Sequence, residues 1–342
     1  MKAGIIGLGK MGLLHAGILN TQNNIELTSI AEKENFMAKY IKNTLPSVNV
    51  YEDFKKMIDN EKLDVVYITT PAPSHFPMMM YCIKKGVNFF VEKPLVINLD
   101  EAKKVCGELK KSDIIHGVGF NVRYVDTFAK VKSLLDSKIL GDVSDVKSSM
   151  YVSNIFSKPS GWRFKKKSSG GGVLLEFGSH LVDLLSWYFG KVEKLSATTK
   201  SVYSDVEDFA HIDLNFEDGV KAKYDASWSI KGYRISEINM EISGNNGKIL
   251  VNQDYIDIKL KESRPDFPEL NSRIYKQSLG KGVSFDVGGA EYSIQDYNMI
   301  ECLKEKKLPM VNVFEASKAQ SIIQAAYDSA QSSSEKGVEY IE

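Results

Sequence analysis

Over the first 120 residues, short apolar runs alternate with stretches whose apolar positions recur every three or four residues. The runs 2–6, 26–31, 64–69, 88–91 and 114–119 have the length and composition of strands. Helical patterning fills 11–20, 34–43, 52–59, 74–85 and 99–111 between them. Strands separated by helices need crossover connections, which make the strands parallel and cover both faces of the sheet. The pattern therefore predicts a doubly wound α/β domain of the Rossmann type over residues 1–120.

Beyond residue 120 the period changes. Helices are expected at 125–138 and about 172–188, followed by alternating segments at 193–203, 209–217, 219–229, 235–243 and 247–260. Ala210, Ile212, Leu214 and Phe216 fall on one face, while His211, Asp213 and Asn215 fall on the other. That is the period of a half-buried strand, so His211 reads as an exposed-face residue rather than a ligand. Turn chemistry at 217–219 and 244–247 joins such strands. The second part, 121–342, is expected to be an α+β domain with a largely antiparallel open sheet. Its last two helices, 290–306 and 313–334, can pack back on the first domain. Residues 262–289 carry Pro265, Pro268, Arg264, Arg273, Lys276 and Lys281, and read as a long loop at a substrate or interface position.

Charge removes some function classes. The chain has 44 basic and 44 acidic side chains, so no overall field attracts nucleic acid. The run Lys165-Lys166-Lys167 reads as a solvated loop. No window approaches 18 uncharged apolar residues, and the N-terminus lacks the apolar core of a signal peptide, so neither a membrane nor an export route is expected. Cys82, Cys106 and Cys302 form no metal-like spacing, and an odd, scattered set suits reduced thiols in the cytoplasm.

Four segments carry chemistry. Gly7-Leu8-Gly9-Lys10-Met11-Gly12 follows a strand-like run and opens a helical one, the context that gives a GxGxxG motif meaning. Gly7 permits the turn, Gly9 lets backbone approach a pyrophosphate, and Gly12 allows the helix to pack on the strand. Glu32, twenty residues past Gly12, can accept from both ribose hydroxyls and repel a 2′-phosphate, which favours NAD over NADP. Thr70, Pro71 and His75 follow the third strand-like run at its carboxyl end, where nucleotides lie, and are expected cofactor contacts together with Glu92 and Lys93. His75 can approach the nicotinamide or simply decorate the first helical turn, and Ser74 is placed to cap that helix. Glu92-Lys93-Pro94 ends the strand NFFV, where Pro94 holds Lys93 extended and Lys93 can polarise a hydroxyl beside a nicotinamide. Gly170-Gly171-Gly172 leads a helical run with Glu176 and His180 four apart and Asp183 three further on. On one helix face these groups can serve proton transfer, or they can satisfy a helix end in the core. The same spacing permits a metal, although the nucleotide motif and EKP account for the site without one.

Taken in order, GxGxxG, the sequence TPAPSH, EKP, Trp162-Arg163 and the GGGxxxExGxHxxD run closely resemble the Gfo/Idh/MocA oxidoreductase family over essentially the whole chain. The resemblance implies hydride transfer between a nicotinamide and a hydroxyl-bearing carbon of a sugar or cyclitol. It further implies that Lys93 holds the reacting oxygen, His180 is the acid/base, and Asn121, Arg123 and Arg163 contact substrate. It assigns the second domain to substrate binding and assembly as a homodimer or homotetramer. Where the family commonly has aspartate this chain has Glu176, with the same charge and a longer reach, suited to orienting His180. A reductase acting on a keto-sugar, imine or nucleotide sugar, and a non-catalytic NAD sensor, are alternative outcomes of the same residues.

Overall fold

The computed structural model describes residues 1–265, 267–280, 282–286 and 288–342; Lys281 lies outside the described residues. Contacts divide the chain into two compact units, Met1–Asn121 with Gly282–Ser317, and Val122–Lys281 with Lys318–Glu342.

The first unit is built on strands β1 (Lys2–Ile6), β2 (Glu26–Ala31), β3 (Asn49–Tyr51), β4 (Val65–Ile68), β5 (Asn88–Val91) and β6 (His116–Val118). Helices α1 (Lys10–Asn20), α2 (Asn35–Thr44), α3 (Phe54–Asn60), α4 (His75–Lys85) and α5 (Leu99–Leu109) connect them. The sheet order is β3-β2-β1-β4-β5-β6 and every neighbouring pair is parallel. All four residues of β4 are buried, the pattern of a strand covered on both faces. Ile5, Ile30, Val65, Tyr67 and Phe90 share a core with Met299, Ile300 and Leu303 of the helix Ala290–Glu305. Of these six strands only β3 escapes the sequence pattern: none of its residues NVY is buried, whereas the equally short β6 is buried throughout.

Register decides which residues meet at the carboxyl edge. Ile6 lies opposite both Ala31 and Ile68, and Ile68 lies opposite Val91. The residues that follow, Gly7, Glu32, Thr69 and Glu92, therefore leave the sheet together where the strand order reverses, the usual place of a nucleotide in such sheets.

The second unit contains β7 (Val143–Tyr151), β8 (Val192–Lys200), β9 (Phe209–Phe216), β10 (Lys221–Ser227), β11 (Glu237–Gly244), β12 (Gly247–Val251), β13 (Tyr255–Leu260), β14 (Asn271–Tyr275) and β15 (Lys336–Gly337). They form one sheet in the order β14-β13-β12-β11-β7-β10-β9-β8-β15, antiparallel except for β7 with β10. Strict alternation along β9 turns its apolar residues to the covered face.

Three expectations need correction here, and one inner strand was not foreseen. The helix expected over 172–188 is two, Val173–Glu176 and Ser179–Phe189. The chain breaks at Gly178, where an added Cβ would lie 1.8 Å from the Tyr224 hydroxyl oxygen. The strand expected over 247–260 is a hairpin, turned by Asn252 Oδ1 accepting from the amides of Asp254 and Tyr255 at 2.9 and 3.0 Å. Part of the 262–289 loop is the edge strand β14. The inner strand β7 was hidden by its polar sequence, VSDVKSSMY, whose ladder partners lie 70 or more residues away.

Candidate functional site

Each glycine of the first motif meets a different physical demand. Gly7 has φ +89°, and its amide donates to Ala31 carbonyl at 2.9 Å. A Cβ on Gly12 would sit 2.0 Å from the carbonyl oxygen of Gly7, so only glycine lets α1 start this close to the turn. A Cβ on Gly9 would meet nothing within 4 Å. Open space against bare backbone, at the N-terminal end of α1 where amides lack helical partners, suits an anionic phosphate. Lys10 is exposed and Met11 half-buried at the helix start, while Leu8 is buried.

Glu32 is fixed by backbone. Its Oε2 accepts the Leu8 amide at 2.6 Å and its Oε1 the Glu34 amide at 2.9 Å. Both oxygens retain further lone pairs, so the carboxylate can still accept from hydroxyl donors. The donor set, the glycine loop and the open space at Gly9 together fit a dinucleotide.

Beyond β4, the Thr69 hydroxyl donates to Gly7 carbonyl at 2.6 Å, tying the two loops together. Thr70 is half-buried and Pro71 exposed. Ser74 sits at the N-cap of α4 but makes no side-chain capping bond, which corrects that expectation. His75 is buried, with Nε2 2.8 Å from Thr70 carbonyl and Nδ1 2.9 Å from Pro94 carbonyl. Burial pushes its pKa down. The His75 ring thus sits between the loop after β4 and the EKP turn, and as a neutral imidazole it donates to one of the two carbonyls. At that turn Glu92 is buried and accepts the Lys93 amide at 3.1 Å through Oε2; Lys93 itself is half-buried. Asn121 is buried beside Tyr292, whose phenol is pushed up to about 12, chiefly by burial.

In the second unit the glycine run is held by residues far along the chain. A Cβ on Gly171 would lie 2.0 Å from the Tyr327 hydroxyl, and one on Gly172 would lie 2.3 Å from the Glu207 carbonyl oxygen. Glu207 Oε1 accepts from Gly172 and Leu174 amides at 2.8 and 3.1 Å and from the Tyr327 hydroxyl at 2.8 Å. Burial raises this carboxyl group's pKa, while the same hydrogen bonds oppose the rise. Glu207 thus replaces the missing cap of the short helix that ends in Glu176. Glu176 is buried and lies 3.4 Å from the guanidinium of Arg163, which is largely exposed over the Trp162 ring. His180 is buried on the first turn of Ser179–Phe189. Glu176 and His180 consequently belong to different helices, so helical spacing alone does not relate them.

Arg123 is placed otherwise than expected. It is only 2% exposed and grips Asp183 with two hydrogen bonds, 2.8 and 2.7 Å, while its guanidinium lies 5.5 Å from the Trp187 ring. Its charge serves a core ion pair, and we remove it from the substrate set. Asp183 is buried as the partner of Arg123. The residues that sequence reasoning missed are His15, Asp296, Glu207 and Tyr327. Only their three-dimensional partners mark them, although the polar His15 within GLLHAGIL was a visible irregularity. Among the described residues, no cluster of three or more His, Cys, Asp or Glu could hold a metal, and no helix is long and apolar enough to cross a membrane.

Comparison with known proteins agrees with this geometry. Residues 1–120 match the profile described as an oxidoreductase family with an NAD-binding Rossmann fold, and residues 128–250 match the GFO/IDH/MocA C-terminal domain. The chain is 27% identical to a myo-inositol 2-dehydrogenase of Thermotoga maritima, across 73% of this chain and 74% of the relative. It is 23% identical to an NADP-dependent scyllo-inositol 2-dehydrogenase of Bacillus subtilis, across 63% of this chain and 60% of the relative. A levoglucosan dehydrogenase solved with NADH and L-sorbose has the same fold, with TM-score 0.89, 22% identity and coverage of 100% of this chain and 99% of that one.

Proposed function

We infer the function from one premise: the chain belongs to the Gfo/Idh/MocA oxidoreductase family. It is an NAD(P)-dependent oxidoreductase that moves hydride between nicotinamide C4 and a hydroxyl-bearing carbon of a sugar, cyclitol or related derivative. The observation that carries this is the shared edge of the first sheet, where one register brings the glycine loop, Glu32 and the EKP turn together. A dinucleotide bound there would supply the hydride-accepting carbon.

The chain's own residues do the rest. Gly9 admits the pyrophosphate and the first amides of α1 face it. Glu32, already anchored through Leu8 and Glu34, accepts from ribose hydroxyls and repels a 2′-phosphate, so NAD is the preferred form. Lys93 holds the reacting oxygen and steadies its developing negative charge. His180 takes the hydroxyl proton, with Glu176 setting the local charge. Asn121 and Arg163 contact the substrate's other hydroxyls. The same groups serve the reverse reduction, since proton and hydride retrace their paths. We further propose a cytoplasmic homodimer or homotetramer; the three cysteines are all free and buried, in keeping with a reducing compartment.

The test is NAD-coupled screening of sugars, sugar acids, cyclitols and nucleotide sugars in both directions. Turnover by the wild-type chain that collapses in Lys93→Ala is the expected result. Tight NAD binding with no turnover on any of these classes would overturn the enzymatic assignment in favour of a sensor.

A further inference from the structure

One buried pair of the first unit, His15 and Asp296, has no part in the chemistry above. His15, in the second turn of α1, is 0% exposed, as is Asp296 on the helix Ala290–Glu305. Its Nδ1 lies 2.8 Å from Asp296 Oδ2 and 3.0 Å from Oδ1; its Nε2 lies 3.1 Å from Glu92 Oε1. Tyr67 and Phe90 flank the ring, with centroids 5.5 and 5.1 Å away.

Each ring nitrogen faces a carboxyl oxygen, so each contact needs a proton. With both acids ionised, a neutral imidazole has only one N–H, and one ring lone pair would face a buried carboxylate with no proton between them. An imidazolium donates to both acids at once. Burial pushes the ring's pKa down and the two carboxylates push it up, and the acids prevail, raising it to about 10. Burial raises the Asp296 carboxyl group's pKa while His15 opposes that rise; a cationic ring is the state in which the imidazole supplies the proton of both contacts.

The second oxygen of Glu92 shows what the cation holds. Oε2 accepts the Lys93 amide at 3.1 Å, and on the far side His75 Nδ1 packs 2.9 Å from the Pro94 carbonyl oxygen. Gly119 leaves room for the arrangement, since a Cβ there would lie 2.9 Å from Glu92 Oε2. The backbone on both sides of Lys93 is thus pinned to helices, and one of them, α1, begins at the glycine loop.

We propose that His15 is a positioning residue: as a buried cation between Glu92 and Asp296, it registers Lys93 against the dinucleotide-binding helix. The functional part of this rests on the role assigned to Lys93 above. The charge arrangement itself does not.

The experiment separates the two. Protein labelled with 15N at its five histidines is examined by NMR at pH 8, where His15 should show two slowly exchanging ring N–H signals, both absent in His15→Gln. The Lys93 amine is then titrated in the full chain by competitive acetylation read by mass spectrometry. The cluster of one cation and two carboxylates carries a net charge of −1. His15→Gln makes it more negative and should raise the Lys93 pKa by about half a unit or more. Asp296→Asn makes it less negative and should lower that pKa by a similar amount. Mere structural damage would not give opposite signs. With an identified substrate, His15→Gln should lower kcat at least tenfold while the NAD Kd stays within threefold.

A single ring N–H at pH 8 would overturn the proposal, as would Lys93 shifts of the same sign or none. If His15→Gln does not fold, the wild-type spectrum and the Asp296→Asn shift still decide it. Correct NMR and titration results without any NAD-linked turnover would uphold the clamp and sink the dehydrogenase assignment instead.

Discussion

Replacing Arg123 with methionine asks what a buried ion pair does in this fold. Arg123 heads the largest fully buried side chains, and its guanidinium forms a paired grip on Asp183 at 2.7 and 2.8 Å, with Asp183 only 1% exposed. Methionine keeps much of the stem volume but leaves a carboxylate inside the protein without its guanidinium. Breaking one partner of such a pair costs about 3–5 kcal/mol, most of it the burden of the stranded charge. For a domain of this size, about 2–4 °C of melting temperature accompanies each kcal/mol, so a fall of about 6–20 °C is expected. The double variant Arg123→Met/Asp183→Leu removes both charges with side chains of similar shape. It should recover most of the loss, because desolvation and attraction nearly cancel in the intact pair. Calorimetry or circular dichroism on the four proteins of this cycle gives the coupling. A single variant costing under about 1 kcal/mol, or a double variant as unstable as the sum of the singles, would refute the reasoning. A rise in substrate KM without loss of stability in Arg123→Met would restore this residue to substrate contact.

Other consequences can be checked separately. Lys93→Ala and His180→Ala should each lower kcat by about 100-fold or more, in the range of positioned acid/base groups, with NAD affinity within threefold by titration calorimetry; near-normal turnover in both would end the mechanism. Gly12→Ala places a Cβ 2.0 Å from backbone and should abolish measurable NAD binding while the second unit's melting transition stays in place. Glu32→Ala should narrow or reverse the preference for NAD over NADP in kcat/KM, and an unchanged ratio would remove Glu32 from the ribose site. The raised pKa of His15, about 10 against an ordinary 6.5, makes its stabilising effect complete below pH 6.5 and progressively lost as pH rises through 10. The melting-temperature gap between wild type and His15→Gln should therefore shrink across that interval, and a gap that widens would contradict a cationic ring.

The parallel unit was legible because its signals are local. Strands buried on both faces read as apolar runs, glycines announce the turn, and a motif of six residues sits between a strand and a helix that each show their own period. The alternation in β9 was visible for the same reason. By contrast, β7 holds the middle of its sheet with few apolar residues, because its place is set by partners distant along the chain. Spacing also suggested one helix through Gly178, since nothing nearby in sequence reveals Tyr224 standing where a side chain would go.

The candidate site divides along that line. Sequence alone determined which residue types gather at the first sheet's edge, because strand ends and glycine turns are fixed by short-range sterics. It also supplied Lys93 and His180 through an ordered set of motifs. Only tertiary structure decided how they are held. Glu207 and Tyr327 brace the glycine run, Asp183 neutralises Arg123, and His15 carries its charge between Glu92 and Asp296. The physical reason is the range of the forces: backbone conformation depends on adjacent residues, whereas the state of a buried charge depends on whichever groups the folded chain brings within hydrogen-bonding distance.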